Sequence, residues 1–203
     1  MAAPVKRSGT TIIGIDKAYF APFLDEQAET YDVPFKLDPI QELSVEPQTN
    51  TSSQYGDNIA IETASAMGAI EATAKFTGLT PEIEAKILGN KYDSTDRRVI
   101  KSASDIAPMG AFLYRRMRAD GGYRYKVFYR GRFTLPNETT TTKEDQVEFQ
   151  SAEMGLVFQP RLSDQVYEMS IDADKPANGQ VDPWATKFFE KVLLPTEKPS
   201  TGA

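Results

Sequence analysis

The chain has 203 residues, 40% of them apolar and 26% charged, with 23 basic and 29 acidic side chains and a net charge of −6. It contains neither Cys nor His, which excludes disulfides, a thiolate nucleophile, a Cys/His zinc site and a Ser-His-Asp triad. No apolar run approaches the ~18 residues of a membrane-spanning helix and no signal-peptide pattern follows the start, so a soluble protein made in the cytoplasm is expected.

Residues 1–9, MAAPVKRSG, are small and polar and read as an N-terminal arm. The β-branched and aromatic run at 10–21 reads as a strand, 24–34 as an acidic connection, and Ile40 to Glu46 as a second strand with Leu43 and Val45 on one face. Residues 47–66, PQTNTSSQYGDNIAIETASA, show no clear periodicity. They read as a long inter-strand loop, and a loop of that length points to contacts outside the monomer.

Ile70, Ala72, Ala74 and Phe76 then alternate with Glu71, Thr73, Lys75 and Thr77, which predicts a half-buried strand. A helix is expected at 80–89: Thr80 can cap it, Pro81 takes the first helical position, Ile83 and Ile87 share a face, and Gly89 stops it. At about two and a half turns it needs a sheet to pack on. Met109–Arg118 and Tyr123–Leu135 flank an Asp-Gly pair, a strong hairpin signal. In the second arm Tyr123, Tyr125, Val127, Tyr129 and Phe133 fall on one face, and Arg124, Lys126, Arg130 and Arg132 on the other.

A further strand begins near Gln146. Its apolar phase shifts between Val147/Phe149 and Met154/Leu156/Phe158, so a β-bulge is expected near Ser151 or Ala152. Tyr167, Met169 and Ile171 alternate again. Asp182 to Leu194 reads as a short helix carrying the single Trp, Trp184, before a polar tail. The fold class is therefore mainly β: an antiparallel sandwich or barrel with one short flanking helix, a long loop and terminal arms. The division is an arm at 1–9, a β domain at 10–174 and a C-terminal extension at 175–203.

Charge is segregated: residues 97–132 carry 10 bases and 2 acids. Nucleic-acid binding is one reading of such a block. The favoured one is a sheet face whose cations, Arg115, Arg124, Lys126, Arg130 and Arg132, pair with acidic strands or an acidic neighbouring subunit. Tyrosines interleaved with Arg at 123–132 also fit a base-stacking platform, but cross-strand packing explains the same spacing.

Signs of catalysis are missing. There is no G-x-x-x-x-G-K-[ST] and no G-x-G-x-x-G. The pairs Asp25-Glu26 and Glu144-Asp145 lie in polar connections, and Asp172-Ala-Asp174 lacks the bidentate Glu of a calcium loop. No catalytic, cofactor-binding or metal-ligating residue is assigned, and neither an enzyme nor a cofactor is expected.

The chain resembles the major tail proteins, or tail tube proteins, of long-tailed non-contractile bacteriophages, particularly those of Gram-positive hosts. The resemblance lies in Ile13-Gly-Ile-Asp-Lys-Ala-Tyr19, in Glu62-Thr-Ala with Gly68-Ala-Ile-Glu-Ala, in Leu88-Gly-Asn-Lys-Tyr-Asp93, and in Tyr123–Pro136 continuing through Thr142–Phe149. It covers most of residues 10–160.

It implies a structural virion protein: stacked, hexameric rings forming a hollow tube that delivers DNA. The partners are the chain itself, the tape measure, tail terminator and distal tail proteins, and double-stranded DNA in transit, with no membrane. Assembly would be in the host cytoplasm and the final location the virion tail. Glu42, Glu46, Glu71, Thr73 and Glu148 become candidates for the channel wall. Gln48, Asn50, Gln54, Tyr55, Asp57 and Glu62 become candidates for an inter-subunit loop. A receptor-binding or adhesin-like β-sandwich module is the alternative, and would be discrete rather than polymeric.

Overall fold

A computed structural model describes residues 11–37, 39–56, 59–136, 151–173 and 187–197. The strands are β1 (Ile12–Asp25), β2 (Thr30–Tyr31), β3 (Phe35–Lys36), β4 (Ile40–Gly56), β5 (Ile59–Phe76), β6 (Lys91–Asp93), β7 (Arg98–Ile100), β8 (Gly110–Arg118), β9 (Tyr123–Phe133), β10 (Ala152–Gln159) and β11 (Glu168–Ala173). The helix α1 is Pro81–Leu88. All pairings are antiparallel, in the order β2-β1-β8-β9-β10-β5-β4, with β3 on β1, β11 on β9, and β6-β7 as a separate pair.

The long sheet folds over on itself as a sandwich, which bears out the expected class. Ala18 and Phe20 of β1, Phe112 and Tyr114 of β8 and Phe128 of β9 meet Ile70, Ala74 and Phe76 of β5 and Met154, Leu156 and Phe158 of β10 in one buried core. Phe128 stacks on Phe158 with ring centroids 4.3 Å apart, a pairing worth more than its buried area alone. Burial inside the core lifts the Tyr114 hydroxyl to about 12, against the pull of Arg116.

The turn of fold from one layer to the next is made by β9. Gly110 pairs with Gly131, but Phe112 pairs with Phe128, so β9 carries one residue more than β8 across this step. Before that bulge β9 pairs β11 through 123–128, and after it β10 through 130–133. The bulge also reverses the faces. Tyr125, Val127 and Tyr129 point away from the main core, while Phe128 and Phe133 point into it. Phe133 therefore does not share the face of the tyrosines, because a period-two pattern cannot see an inserted residue. Gly131 follows the bulge, and a Cβ there would sit 2.2 Å from the Phe158 ring. β10 runs along β5 from Ala152 without a register shift, and Val147 and Phe149, on which the bulge expected near Ser151 or Ala152 rests, lie outside the described residues.

The helix forms as expected. Thr80 Oγ1 accepts from Ile83 N–H at 3.4 Å, and Gly89 is left-handed with φ 73°. Ile87 and Leu88 enter the main core.

Two expectations change. Residues 47–66 are not a loop. Most of them continue β4 and β5 as one long hairpin, paired from Thr49/Met67 to Gly56/Ile59. Its sequence is polar on alternate and non-alternate positions alike, so no period-two signal exists to read, while the backbone ladder needs none. The second change concerns the C-terminal extension. Phe188, Phe189, Val192 and Leu193 are buried in a second core against Ala111, Leu113, Tyr125, Val127 and Tyr129, on the outer side of β1-β8-β9-β11. The helix expected to run to Leu194 is a series of turns from Phe188 onward. The Leu193 carbonyl accepts the Tyr129 hydroxyl at 2.9 Å instead of a helical N–H. Asp182 and Trp184 lie outside the described residues.

A buried carboxylate ties the body together. Glu29, 4% exposed, accepts from Leu162 N–H at 2.7 Å, from Arg161 Nε and Ser163 N–H at 3.3 Å each, and from the Ser163 hydroxyl. Burial pushes its carboxyl up, but the hydroxyl, the two amides and Arg161 outweigh that and hold it below the usual range.

Candidate functional site

The β10-β5-β4 layer has one face in the main core, and no described segment covers its other, open face. Register places the open-face residues in rungs across the strands. Glu42 lies opposite Lys75, which lies opposite Glu153; Ser44 opposite Thr73 and Gly155; Glu46 opposite Glu71, then Val157 and Arg132. The intervening rungs, Leu43-Ala74-Met154 and Val45-Ala72-Leu156, point inward. Four of the five channel-wall candidates, Glu42, Glu46, Glu71 and Thr73, thus share one contiguous face. The fifth, Glu148, lies outside the described residues. Glu42, Glu46 and Glu71 are exposed and Thr73 is half-buried.

The electrostatics of this face do not serve the monomer. Lys75 Nζ sits 3.4 Å from Glu42 and 3.8 Å from Glu153, and such exposed pairs contribute at most about 1 kcal/mol. Glu46 and Glu71 oppose one another directly with like charge, which is destabilising.

The hairpin candidates lie beyond this face. Gln48 is exposed at the start of the projecting part. Asn50 pairs with Ala66, Gln54 with Glu62, and Tyr55 with Ala60. Asp57 lies outside the described residues.

The cation candidates are placed differently from one another. Arg115 forks onto Asp16 and lies 4.0 Å over the Tyr123 ring. Arg124 grips Asp172 with bonds of 2.5 and 2.8 Å, holding that carboxyl below its usual range. Lys126 reaches Glu168 at 2.8 Å, and Arg130 pairs with Glu26. These four have acidic partners within the chain, chiefly on or beside β1 and β11, which is the pairing with acidic strands that the sequence offered as one reading. Arg132 alone of the five is exposed, and it lies on the open face with Nε 3.1 Å from Met109 Sδ. Tyr125 and Tyr129 are buried in the second core, which leaves them unable to stack bases.

Among the described residues no cluster of acids could hold a metal ion, and no helix is long and apolar enough to cross a membrane. Asp25 caps its own turn, accepting from Gln27 and Ala28 N–H, while Glu144, Asp145 and Asp174 lie outside the described residues.

The described residues thus form a β-sandwich with one exposed acidic face and a protruding hairpin. The family model for the phage tail tube protein matches residues 40–191. The chain belongs to that family. No individual curated protein matches it. As a tail tube protein it is a structural component of the virion tail, from a family that is not one of enzymes. The match begins at β4 and so takes in both the acidic face and the hairpin. Sequence reasoning missed the Glu29 anchor and the β6-β7 pair. The first is made by residues far apart in the chain, and the second by strands of three residues.

Proposed function

We propose that this tail tube protein assembles as rings, six subunits to a ring, that stack into a hollow tube with the open face of β10-β5-β4 turned to the channel. One observation carries this reading: a contiguous, exposed face bearing Glu42, Glu46 and Glu71, on which Glu46 and Glu71 oppose one another directly. Double-stranded DNA carries about one charge per 1.7 Å of its axis. A basic wall would hold it, whereas a wall bearing Glu42, Glu46, Glu71 and Thr73 repels it weakly and lets it slide.

The β4-β5 hairpin reaches a neighbouring subunit. The tape measure, tail terminator and distal tail proteins would be the partners inside and at the ends of the tube. Assembly would take place in the cytoplasm of the host, with a Gram-positive bacterium as the expected one.

Negative-stain imaging of the purified chain should show rings or tubes; discrete monomers at high concentration would overturn the reading. Virions carrying Glu46→Lys and Glu71→Lys should eject DNA more slowly, with recovery at high salt as the attraction is screened. Normal ejection from intact tails would remove these residues from the channel wall.

A further inference from the structure

The two ends of strand β1 carry opposite chemistry. At the Ile12 end a cleft of about 450 Å³ lies between β4 and the β1-β8-β9 layer. Its floor is apolar, from Ile15, Leu43, Val45 and Tyr114. Tyr114 is buried, but Ile15, Leu43 and Val45 are only half-buried. Three charged side chains line the cleft, Glu42, Arg116 and Lys126. Glu42 pairs with Lys75 at 3.4 Å, and Lys126 with Glu168 at 2.8 Å. Arg124, opposite Arg116 in the β8-β9 ladder, grips Asp172. Among the described residues Arg116 makes no ion pair, in contrast to these neighbours. The cleft is therefore apolar with one uncompensated positive charge.

At the Asp25 end β1 turns into β2. Leu24 and Val33 there are 70% and 71% exposed, and Leu162, whose N–H donates to Glu29 in the turn, is 61% exposed. Large apolar side chains grouped on a surface mark an interaction site. Residues 18–35 hold four acids and no base. Glu26 is answered by Arg130, and Glu29 by Arg161, which also holds Asp164. The C-terminal segment beside the turn adds Glu190 and the Lys191–Glu197 pair. Asp25 uses its carboxylate to cap its own turn. Asp32 is exposed, accepts the Val33 N–H at 2.7 Å, and has no basic partner among the described residues. The turn is thus apolar with a surplus of negative charge, the complement of the cleft. The two surfaces cannot meet within one chain. They lie at opposite ends of a 14-residue strand, roughly 40 Å apart at about 3.3 Å per residue.

We infer that the β1-β2 turn of one copy seats in the cleft of a second copy, with Leu24 and Val33 on the apolar floor and Asp32 facing Arg116. Donor and acceptor are different surfaces of one chain, so the contact is heterologous. A displacement along the strand propagates as a stack instead of closing, which makes this a contact between successive rings. The inference rests on the tube reading above and adds the two surfaces that meet.

The test uses the full-length chain and its lack of cysteine. Gln41→Cys at the cleft is combined with Val33→Cys at the turn, and assembled tubes are treated with a short bis-maleimide. The double variant should give a ladder of covalent multimers, and either single variant nothing beyond a dimer. Separately, Arg116→Glu should leave single rings but raise the concentration needed for tubes roughly tenfold or more, the scale of a charge pair turned repulsive, and Asp32→Lys added to it should restore growth. Double-cysteine tubes that yield no ladder, or no recovery with Asp32→Lys, would overturn the docking and leave the tube reading intact. If the unaltered chain forms neither rings nor tubes, both fall together.

Discussion

Each layer of the sandwich has an outer face, and the two are treated in opposite ways. On β1-β8-β9-β11 the outer face is apolar and is covered by residues 187–197 of the same chain, with Phe188 and Tyr125 ring centroids 5.1 Å apart. On β10-β5-β4 it is polar, acidic and bare of any described segment. Among the described residues, the C-terminal segment covers the first of these faces and not the second. The covered face adds a second buried core to the subunit, and the other keeps its acids exposed.

Emptying the covered face should have the largest effect. Phe188→Ala removes a ring that is 1% exposed, and large-to-small changes of this kind cost about 3–5 kcal/mol. A melting temperature lower by roughly 6–20 °C is expected for a chain of this size, read by thermal unfolding of the monomer. A loss below one or two degrees would mean that the segment merely lies on the sheet.

Glu29→Gln comes next, since it strips a buried carboxylate from the turn that borders the same face. Breaking a buried ion pair costs about 3 kcal/mol. The folded carboxyl titrates below its ordinary 4.5, so its contribution is fully present above that value and fades as pH falls through the lowered one. The variant should therefore be less stable at neutral pH and converge with the parent in acid. Parallel curves at every pH would show that the charge is not what anchors the turn.

The smallest change, and the sharpest contrast, belongs to the bare face. Glu46→Lys replaces a like-charge cross-strand pair with an opposite one, and should raise monomer stability by about 0.5 kcal/mol. Denaturant midpoints would register it. A marked loss would reveal that Glu46 has a structural partner and that this face, too, serves the fold.

The sequence made one side of this contrast easy to see and the other hard. Alternation at Ile70–Phe76 and the Asp-Gly turn before Tyr123 marked the half-buried strands and the central hairpin, and Thr80, Pro81 and Gly89 marked the helix, because each signal is local. The open acidic face was legible through the same alternation. The hairpin arm was not, since a strand with two polar faces has no period to detect. The second core was missed for a different reason: Phe188 and Leu193 look like one face of a helix until the distant Tyr125 and Tyr129 are known to need a cover. Pairing of Arg124 with Asp172 and of Arg115 with Asp16 likewise depends on strand neighbours that only topology supplies.

The strand order has a consequence in time. β4 and β5 are consecutive in the chain and pair with each other, a hairpin contact of the kind that closes in microseconds. β1 instead pairs with β8, Ile12 reaching Arg118 and Pro22 reaching Gly110, across nearly half the chain, and such distant pairings form slowly. During synthesis the hairpin can therefore be complete while the first strand still waits for its partner. The main core requires β1, β5, β8 and β10 at once, so the hairpin arm can form before the body that carries it.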